Sequence, residues 1–540
     1  MTINKKKTTV DVKMREDAHL NWMGGTSWDV KNPLVRLRMA ASSCFFGEPQ
    51  YYHESEDGKR GARISHHASY ISSTDLDRLR DTLGALDPRD WRGLTPQKLM
   101  EKTIDEALDA DPEATLKEAV RLRQEEHMRS TPQVILVRAA HHPKVRGTGL
   151  VTKYASQIVD RADEPAVGLA YHLAAYGKDA PLPNSLKKAW KSSLESSKEY
   201  ELAKYRMENR VVKTVDVVNL VHAKSEAVSK LVKGQLTNTG ATWESIISAE
   251  GSTKESWSKA LDVMGHMAML RNMRNLLQKG VDPKLFLSKL VAGAEKGKQL
   301  PFRYVSAYNA IKEIGTSGNV QDAIEQCLKL SLGNLPHFPG RVMSLADNSG
   351  SARGTATSSM GTMRMSTIGN LTAILTGMVS EDGYVGVFGD ALEVVPVRKG
   401  SSVFDQLAKV ETLGDGVGQS TENGIWLFWD KAIKQKEHWD HVFVYSDMQA
   451  GHGGLYGTDA RAYAEYAWSD KRHIDVAKLI KTYRQKVNPN VHVYLVQIAG
   501  YQDALVPEFY DKTYILGGWG DGILRFAAEM SGLKAPAVEQ

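Results

Sequence analysis

Cysteine is almost missing from this chain. Cys44 and Cys327 are the only two in 540 residues, which excludes a disulfide framework and cysteine-based zinc ribbons. No apolar run approaches the ~18 residues that would suggest a membrane span. The opening MTINKKKTTVDVKMRED carries a basic cluster with no apolar stretch behind it. That excludes a secretory signal and leaves residues 1–17 as an expected flexible tail. Three catalytic signatures are absent too: the Gly-x-Ser-x-Gly elbow, the Gly-x-x-x-x-Gly-Lys-Ser phosphate loop and the His-Glu-x-x-His helix. No strict sequence repeat occurs, so any repetition is structural and degenerate. The expectation is a cytoplasmic, non-enzymatic protein with no membrane contact.

The net charge of +5 is unevenly spread. Residues 1–340 hold 50 Lys and Arg against 41 Asp and Glu, whereas residues 341–540 hold 19 against 23. The window 181–300 alone has 20 against 12. A basic region of this kind suggests a polyanionic partner, with a well-solvated helical surface as the plain alternative.

From about residue 56 to 335 the apolar positions recur every three or four residues, segment after segment, with almost no period-two alternation. The segments Thr95–Leu108, Leu116–Met128, Pro132–Ala140, Ala166–Tyr176, Val215–Leu236, Trp257–Lys279 and Gln321–Leu332 each read as helical. Helices of moderate length joined by short loops fit stacked helical hairpins, a mainly α, HEAT-like repeat module. After Gly340 the pattern changes to strands alternating with helices: Val342–Ala346, Tyr384–Phe388, Leu392–Val397, His441–Ser446, Val491–Ile498 and Thr513–Leu516 as strands. Such alternation predicts an α/β domain with a doubly wound, mostly parallel sheet.

In such sheets ligands sit beyond the carboxyl ends of the strands, at the point where strand order reverses. Two predicted strands end there on aspartate, one in Asp347-Asn348-Ser349-Gly350-Ser351 and one in Ser446-Asp447. Asp347, Ser349, Ser351 and Asp447 are hard oxygen donors of the kind Mg²⁺ takes with waters completing its shell. The pattern resembles a von Willebrand factor A domain and its metal ion-dependent adhesion site. The middle ligand of that site falls in Gly418-Gln419-Ser420-Thr421, where Thr421 is preferred to Ser420. A metal-dependent nuclease at Asp347 and Asp447 is a weaker reading, because neither a second metal nor a general base is evident.

Two cationic lines stand out upstream. Lys187, Lys188 and Lys191 follow Pro183, and Lys204, Arg206, Arg210 and Lys213 follow Ala203. Trp190 and Tyr205 lie among them. Lysines for phosphates and rings for bases are what a single-stranded RNA groove uses. The competing reading makes the lysines a solvated face and the rings core. In His266–Leu277, Arg271 and Arg274 share a face, and Asn272 and Asn275 read as interhelical ties.

The stretches Gly24-Gly25, Leu186-Lys187-Lys188-Ala189, Ala203-Lys204-Tyr205-Arg206, Met269–Leu276 and Pro301-Phe302-Arg303 come in this order before the A-type domain. Together they resemble the TROVE family of Ro-like proteins over roughly residues 18–535. The resemblance implies a TROVE helical-repeat ring over residues 18–338, closed by an A domain over 339–535. It also implies a monomeric, non-catalytic RNA-binding scaffold. Small noncoding Y-like RNA would bind a basic outer surface, and single-stranded 3′ ends of defective or maturing RNAs would enter a central hole. A 3′-5′ exoribonuclease is the implied protein partner. Carried over by motif, the RNA contacts are Lys187, Lys188, Lys191, Lys204, Arg206, Arg210, Lys213 and His222, with His141 and Lys144 on a further loop. The alternative is a protein-interaction module acting through the metal site.

Overall fold

The computed structural model describes residues 18–20, 26–43, 96–208, 210–236, 242–297, 299, 301–315, 318–353, 364–418, 422–447, 475–498, 503–504, 506 and 510–533. They form two compact units. One gathers residues up to 110 with 339–397 and 409–519, and the other gathers 111–338 with 398–408 and the chain from 520 onward. Along the chain the two units meet between Phe338 and Pro339, but the residues before 111 go with the sheet, and 398–408 and the chain from 520 go with the helices.

The first unit is built on a six-stranded sheet. Its strands are β3 (Phe338–Asp347), β4 (Ser380–Phe388), β5 (Leu392–Pro396), β6 (His441–Ser446), β7 (His492–Gln497) and β9 (Thr513–Gly517). The order across the sheet is β5-β4-β3-β6-β7-β9. β3 pairs with β6, β6 with β7 and β7 with β9 in parallel, and only β5 is shown antiparallel to its neighbour. A strand covered on both faces must be apolar throughout. β6 is buried at every position, and β3 is buried from Val342 to Asp347. A small three-stranded sheet accompanies the large one, formed by β1 (Ala18–Leu20), β2 (Thr26–Asp29) and β8 (Asp503–Ala504).

The core on one face of the large sheet joins Val442, Val444, Val493 and Leu495 to Trp426, Trp429, Leu479 and Tyr483. The rings come from the helices Glu422–Gln435 and Val476–Lys486. On the other face the Met365–Met378 helix is anchored where Thr376 Oγ1 and Tyr445 Oη meet at 2.7 Å.

The second unit is a succession of packed helices. Pro112–Gln124 packs on Ser130–His141, which packs on Glu164–Tyr176; Leu150–Ile158 packs on Asn184–Ser196, which packs on Thr214–Val221. The first of them starts with the expected chemistry. Asp111 caps the first, accepting from the Ala114 N–H at 3.0 Å with Pro112 at the first helical position. In Asn184–Ser196 the stripe Leu186, Trp190 and Leu194 faces inward and is fully buried.

Two periodic stretches that read as single helices are each broken. Val215–Leu236 becomes Thr214–Val221 and Glu226–Val232, parted at His222, whose φ of 53° is left-handed. Ser225 then caps the second piece by accepting from Val228 N–H at 3.2 Å. Trp257–Lys279 likewise splits into Lys254–Val263 and His266–Gln278 at Met264-Gly265. Apolar spacing alone did not register either break.

The Asp521–Met530 helix belongs to this second unit. A Cβ at Gly522 would lie 2.5 Å from Glu126 Oε1, so that carboxylate occupies the notch the glycine leaves. Further along, Arg525 Nη2 donates to the Asn334 carbonyl at 3.3 Å. The terminal helix thus touches the early and the late turns of the helical succession.

Candidate metal centre and basic helical surface

β3 and β6 are neighbours and run parallel with Ala346 opposite Tyr445. Their carboxyl ends therefore deliver Asp347 and Asp447 to one place, as expected of residues at the reversal of strand order. Asp347, Ser349 and Asp447 are fully buried and Ser351 nearly so. Asp347 Oδ2 accepts from Ser446 Oγ at 2.5 Å, and Oδ1 accepts from the Ser349 N–H at 2.8 Å. Ser349 Oγ and Ser351 Oγ stand 3.2 Å apart. Burial pushes the Asp347 carboxyl up, opposed by hydrogen bonds from Ser446 and Ser349.

No cluster of three or more His, Cys, Asp or Glu able to hold a metal exists among the described residues. A cation here would need hydroxyl ligands as well as the two carboxylates. That donor set suits a hard oxygen-seeking ion such as Mg²⁺. Thr421 and Ser420 lie outside the described residues. The segment leading to them does not. Gly414 is in such close approach to Asn348 that a Cβ there would overlap its side-chain oxygen. The Ala391 N–H donates to the Val417 carbonyl at 2.9 Å. The loop that enters 419–421 thus starts against the β3 motif and the β4–β5 turn.

Sequence reading missed three residues that hold this place. Asn348, between Asp347 and Ser349, is paired with Asn370 through both amides. Ser446 binds Asp347, and Gln497 Nε2 donates to the Asp447 carbonyl at 2.7 Å. Only their position at the strand ends could have marked them.

In the helical unit, Lys188, Lys204, Arg210, Lys213 and His222 are exposed, while Lys187, Lys191 and Arg206 are half-buried. The Asn184–Ser196 and Thr214–Val221 helices pack together. Near their C-terminal ends the Lys224 N–H donates to Glu195 Oε1 at 2.8 Å, and the same carboxylate lies 3.8 Å from Lys191. This brings Lys191 and the His222–Lys224 turn to one spot. A second junction forms where the Thr214 N–H donates to the Arg206 carbonyl at 3.1 Å, placing Arg206 beside Lys213. Arg206 is partly structural, since its Nη2 reaches the Leu236 carbonyl at 3.2 Å.

His141 ends the Ser130–His141 helix, and Lys144 follows in the exposed turn. The His141 ring stacks on Tyr176 at 3.9 Å, and its Nε2 meets His172 Nδ1 at 3.0 Å. Burial, His172 and the nearby arginines push His141 down to about 4. Its ring is engaged inward.

Trp190 is core. It is fully buried, and a Cβ at Gly168 would come within 2.8 Å of its ring. Tyr205 carries the Arg161 guanidinium over its ring at 4.2 Å. Asn272 and Asn275 bond within their own helix, not between helices as read: Asn272 Nδ2 donates to Ala268 O at 3.0 Å and Asn275 Nδ2 to Asn272 Oδ1 at 3.1 Å. Arg303 is a further cation of the helical unit, held below the usual guanidinium range by burial and by Arg271 and Arg129.

Fold and site together define a HEAT-like helical module combined with an A-type domain of the von Willebrand kind. Residues 233–343 match the family model of the TROVE domain. The crystal structure of the Deinococcus radiodurans RO (RSR) protein is similar at a TM-score of 0.54 and 12% identity, covering 83% of this chain and 95% of that one. No curated protein matches. Residues 233–343 are thus similar to a TROVE domain and the fold is like that of the Ro structure, in line with the resemblance and the fold class read from the sequence. No helix among the described residues is long and apolar enough to cross a membrane.

Proposed function

We propose that this chain is a non-catalytic RNA-binding scaffold of a cytoplasmic ribonucleoprotein. The observation that carries the reading is the set of cations on the helical unit: Lys187, Lys188 and Lys191 on one helix, and Lys204, Arg206, Arg210 and Lys213 leading into the helix packed against it, with His222 exposed at that helix's end. Lys144 adds a further cation at a nearby turn. Attraction to phosphate supplies most of the affinity of such a surface. The ligand in this reading is a small structured, Y-like RNA, with single-stranded 3′ ends of misfolded or maturing RNAs as a second class. A 3′-5′ exoribonuclease would act on RNA that a monomeric scaffold presents.

In the same reading Asp347, Ser349, Ser351 and Asp447 would hold Mg²⁺, with Thr421 the candidate from the adjoining loop. Bound there, the ion would supply a Lewis-acid contact for a partner's carboxylate. That is the route of the second reading, a protein-interaction module, and the buried acid and hydroxyl set at the β3 and β6 ends favours it.

Filter binding of a structured small RNA over a range of salt separates the two. Lys188→Ala with Lys213→Ala should weaken binding and lower the salt slope by about two, while Asp347→Ala leaves RNA affinity alone. An unchanged affinity in the double variant at every salt concentration sinks the scaffold reading. RNA cut in Mg²⁺, with cutting lost in Asp447→Ala, would instead make the protein a nuclease.

A further inference from the structure

We infer that Tyr200 is a base-stacking ring for single-stranded RNA, with Lys204 beside it holding the adjoining phosphate. The inference rests on the RNA-binding reading and deepens it.

Most rings of the basic region are already engaged. Trp190 is buried beneath Gly168, and Tyr205 is covered by Arg161. Trp257 is buried with Trp243 stacked on it at 5.9 Å. Tyr176 is stacked on His141. Tyr200 differs, with 46% of its surface exposed. It sits on the short Glu199–Lys204 helix, whose one buried residue is Leu202.

The charges around it are arranged for a polyanion. Lys204 Nζ lies 5.9 Å from the Tyr200 ring and 5.5 Å from the Tyr205 ring, so a single exposed ammonium is within reach of two rings. The acids of the helix are turned to internal partners. Glu199 accepts from Lys230 Nζ at 2.8 Å, and Glu201 accepts from the Lys198 N–H at 2.7 Å. Arg161 is held flat by Asp163, with Nε to Oδ1 at 3.0 Å and Nη2 to Oδ2 at 2.8 Å. Its charge is thereby largely cancelled and its plane occupies Tyr205. What remains outward is an open ring next to an ammonium, with exposed Lys213 following; Arg206 between them is half-buried and shared by the Leu236 carbonyl and Glu208 Oε1, the latter at 3.4 Å. Every base has a π-face, so such a ring binds single strands with little sequence preference. A protein surface offers no equivalent run of phosphates for the exposed Lys204 and Lys213, which is why RNA is the occupant argued.

Fluorescence anisotropy with labelled oligoadenylate and oligouridylate tests this across a salt series. Tyr200→Ala should lose affinity by on the order of tenfold, more for adenylate, with the salt slope unchanged. Tyr200→Trp should keep or tighten binding. Lys204→Gln should lower the slope by about 0.7, the value for a single-strand phosphate contact. If Tyr200→Ala binds like the unaltered protein while Lys188→Ala with Lys213→Ala is weakened, the stacking inference falls and the scaffold reading stands. If neither variant changes binding, both fall. Loss in Tyr200→Trp equal to that in Tyr200→Ala also overturns it.

Discussion

Asn348 and Asn370 face each other as a closed pair of amides. Asn348 Nδ2 donates to Asn370 Oδ1 at 2.7 Å, and Asn370 Nδ2 donates back to Asn348 Oδ1 at 3.0 Å. Asn348 also donates to the Ala346 carbonyl at 3.1 Å. Both residues are buried, and the pair ties the loop bearing Asp347 and Ser349 to the Met365–Met378 helix. Asn370→Leu removes one partner and leaves the Asn348 amide buried with bonds unmade. Such a loss costs about 1–3 kcal/mol. Urea unfolding should show that drop in stability. A change below about 0.5 kcal/mol would mean the loop is held by other contacts.

Trp190 makes a sharper test of what the basic helices are. Buried against Gly168, it is a packing residue. Trp190→Ala should cost about 3–5 kcal/mol through the cavity it leaves. Trp190→Phe should cost much less, because the indole Nε1–H makes no hydrogen bond in the structure. Gly168→Val should destabilise by overpacking against the same ring. In variants that remain folded, RNA affinity should match that of the unaltered protein. A specific loss of RNA binding in folded Trp190→Phe would return this ring to the binding surface.

Two histidines contribute to the loss of stability in acid. His141 and His441 are each pushed down to about 4 from an ordinary 6.5, chiefly by burial and then by His172 and His492 respectively. The fold favours their neutral forms, so the unfolded chain takes up protons first as pH falls. Their contribution is fully present above pH 6.5 and is lost as pH falls toward 4. Thermal midpoints measured from pH 7.5 to 4 should therefore fall most steeply between 6.5 and 4. His141→Phe keeps a ring on Tyr176 and should flatten that fall. An equally steep fall in His141→Phe would assign the acid sensitivity elsewhere.

The sequence made some of this legible for plain reasons. A strand buried on both faces has to be apolar, so β3 and β6 were visible, and the aspartates at their ends followed from the parallel order. The stripe Leu186, Trp190 and Leu194 showed its helix in the same way. His222 shows where legibility ends. The helix stops there because one residue turns left-handed, and no apolar periodicity reports a backbone dihedral. The joining of Asn348 to Asn370 and of Lys224 to Glu195 depends on tertiary approach across 22 and 29 residues. The same holds for the Asp521–Met530 helix, which reads as the end of the α/β pattern yet packs with the helical unit. Tyr205 looked like a stacking ring because Arg161, 44 residues away, could not be seen to cover it.

If Mg²⁺ is held by Asp347, Ser349, Ser351 and Asp447, it binds the folded chain and not the unfolded one. Stability must then rise with its concentration by RT ln(1 + [L]/Kd), about 2.7 kcal/mol at a hundred times Kd. Two carboxylates brought together at the ends of β3 and β6 make the metal-free fold costly, because Asp347 is fully buried and pushed up by that burial. Asp347→Asn removes that charge while keeping side-chain shape. The variant should therefore lose the response to Mg²⁺ without a matching loss of stability in chelator. Thermal unfolding of both proteins, with and without Mg²⁺ in excess chelator, reads this directly. A midpoint in the unaltered protein that Mg²⁺ does not move would leave the motif as packing. An Asp347→Asn response equal to the unaltered protein's would place the ion elsewhere on the chain.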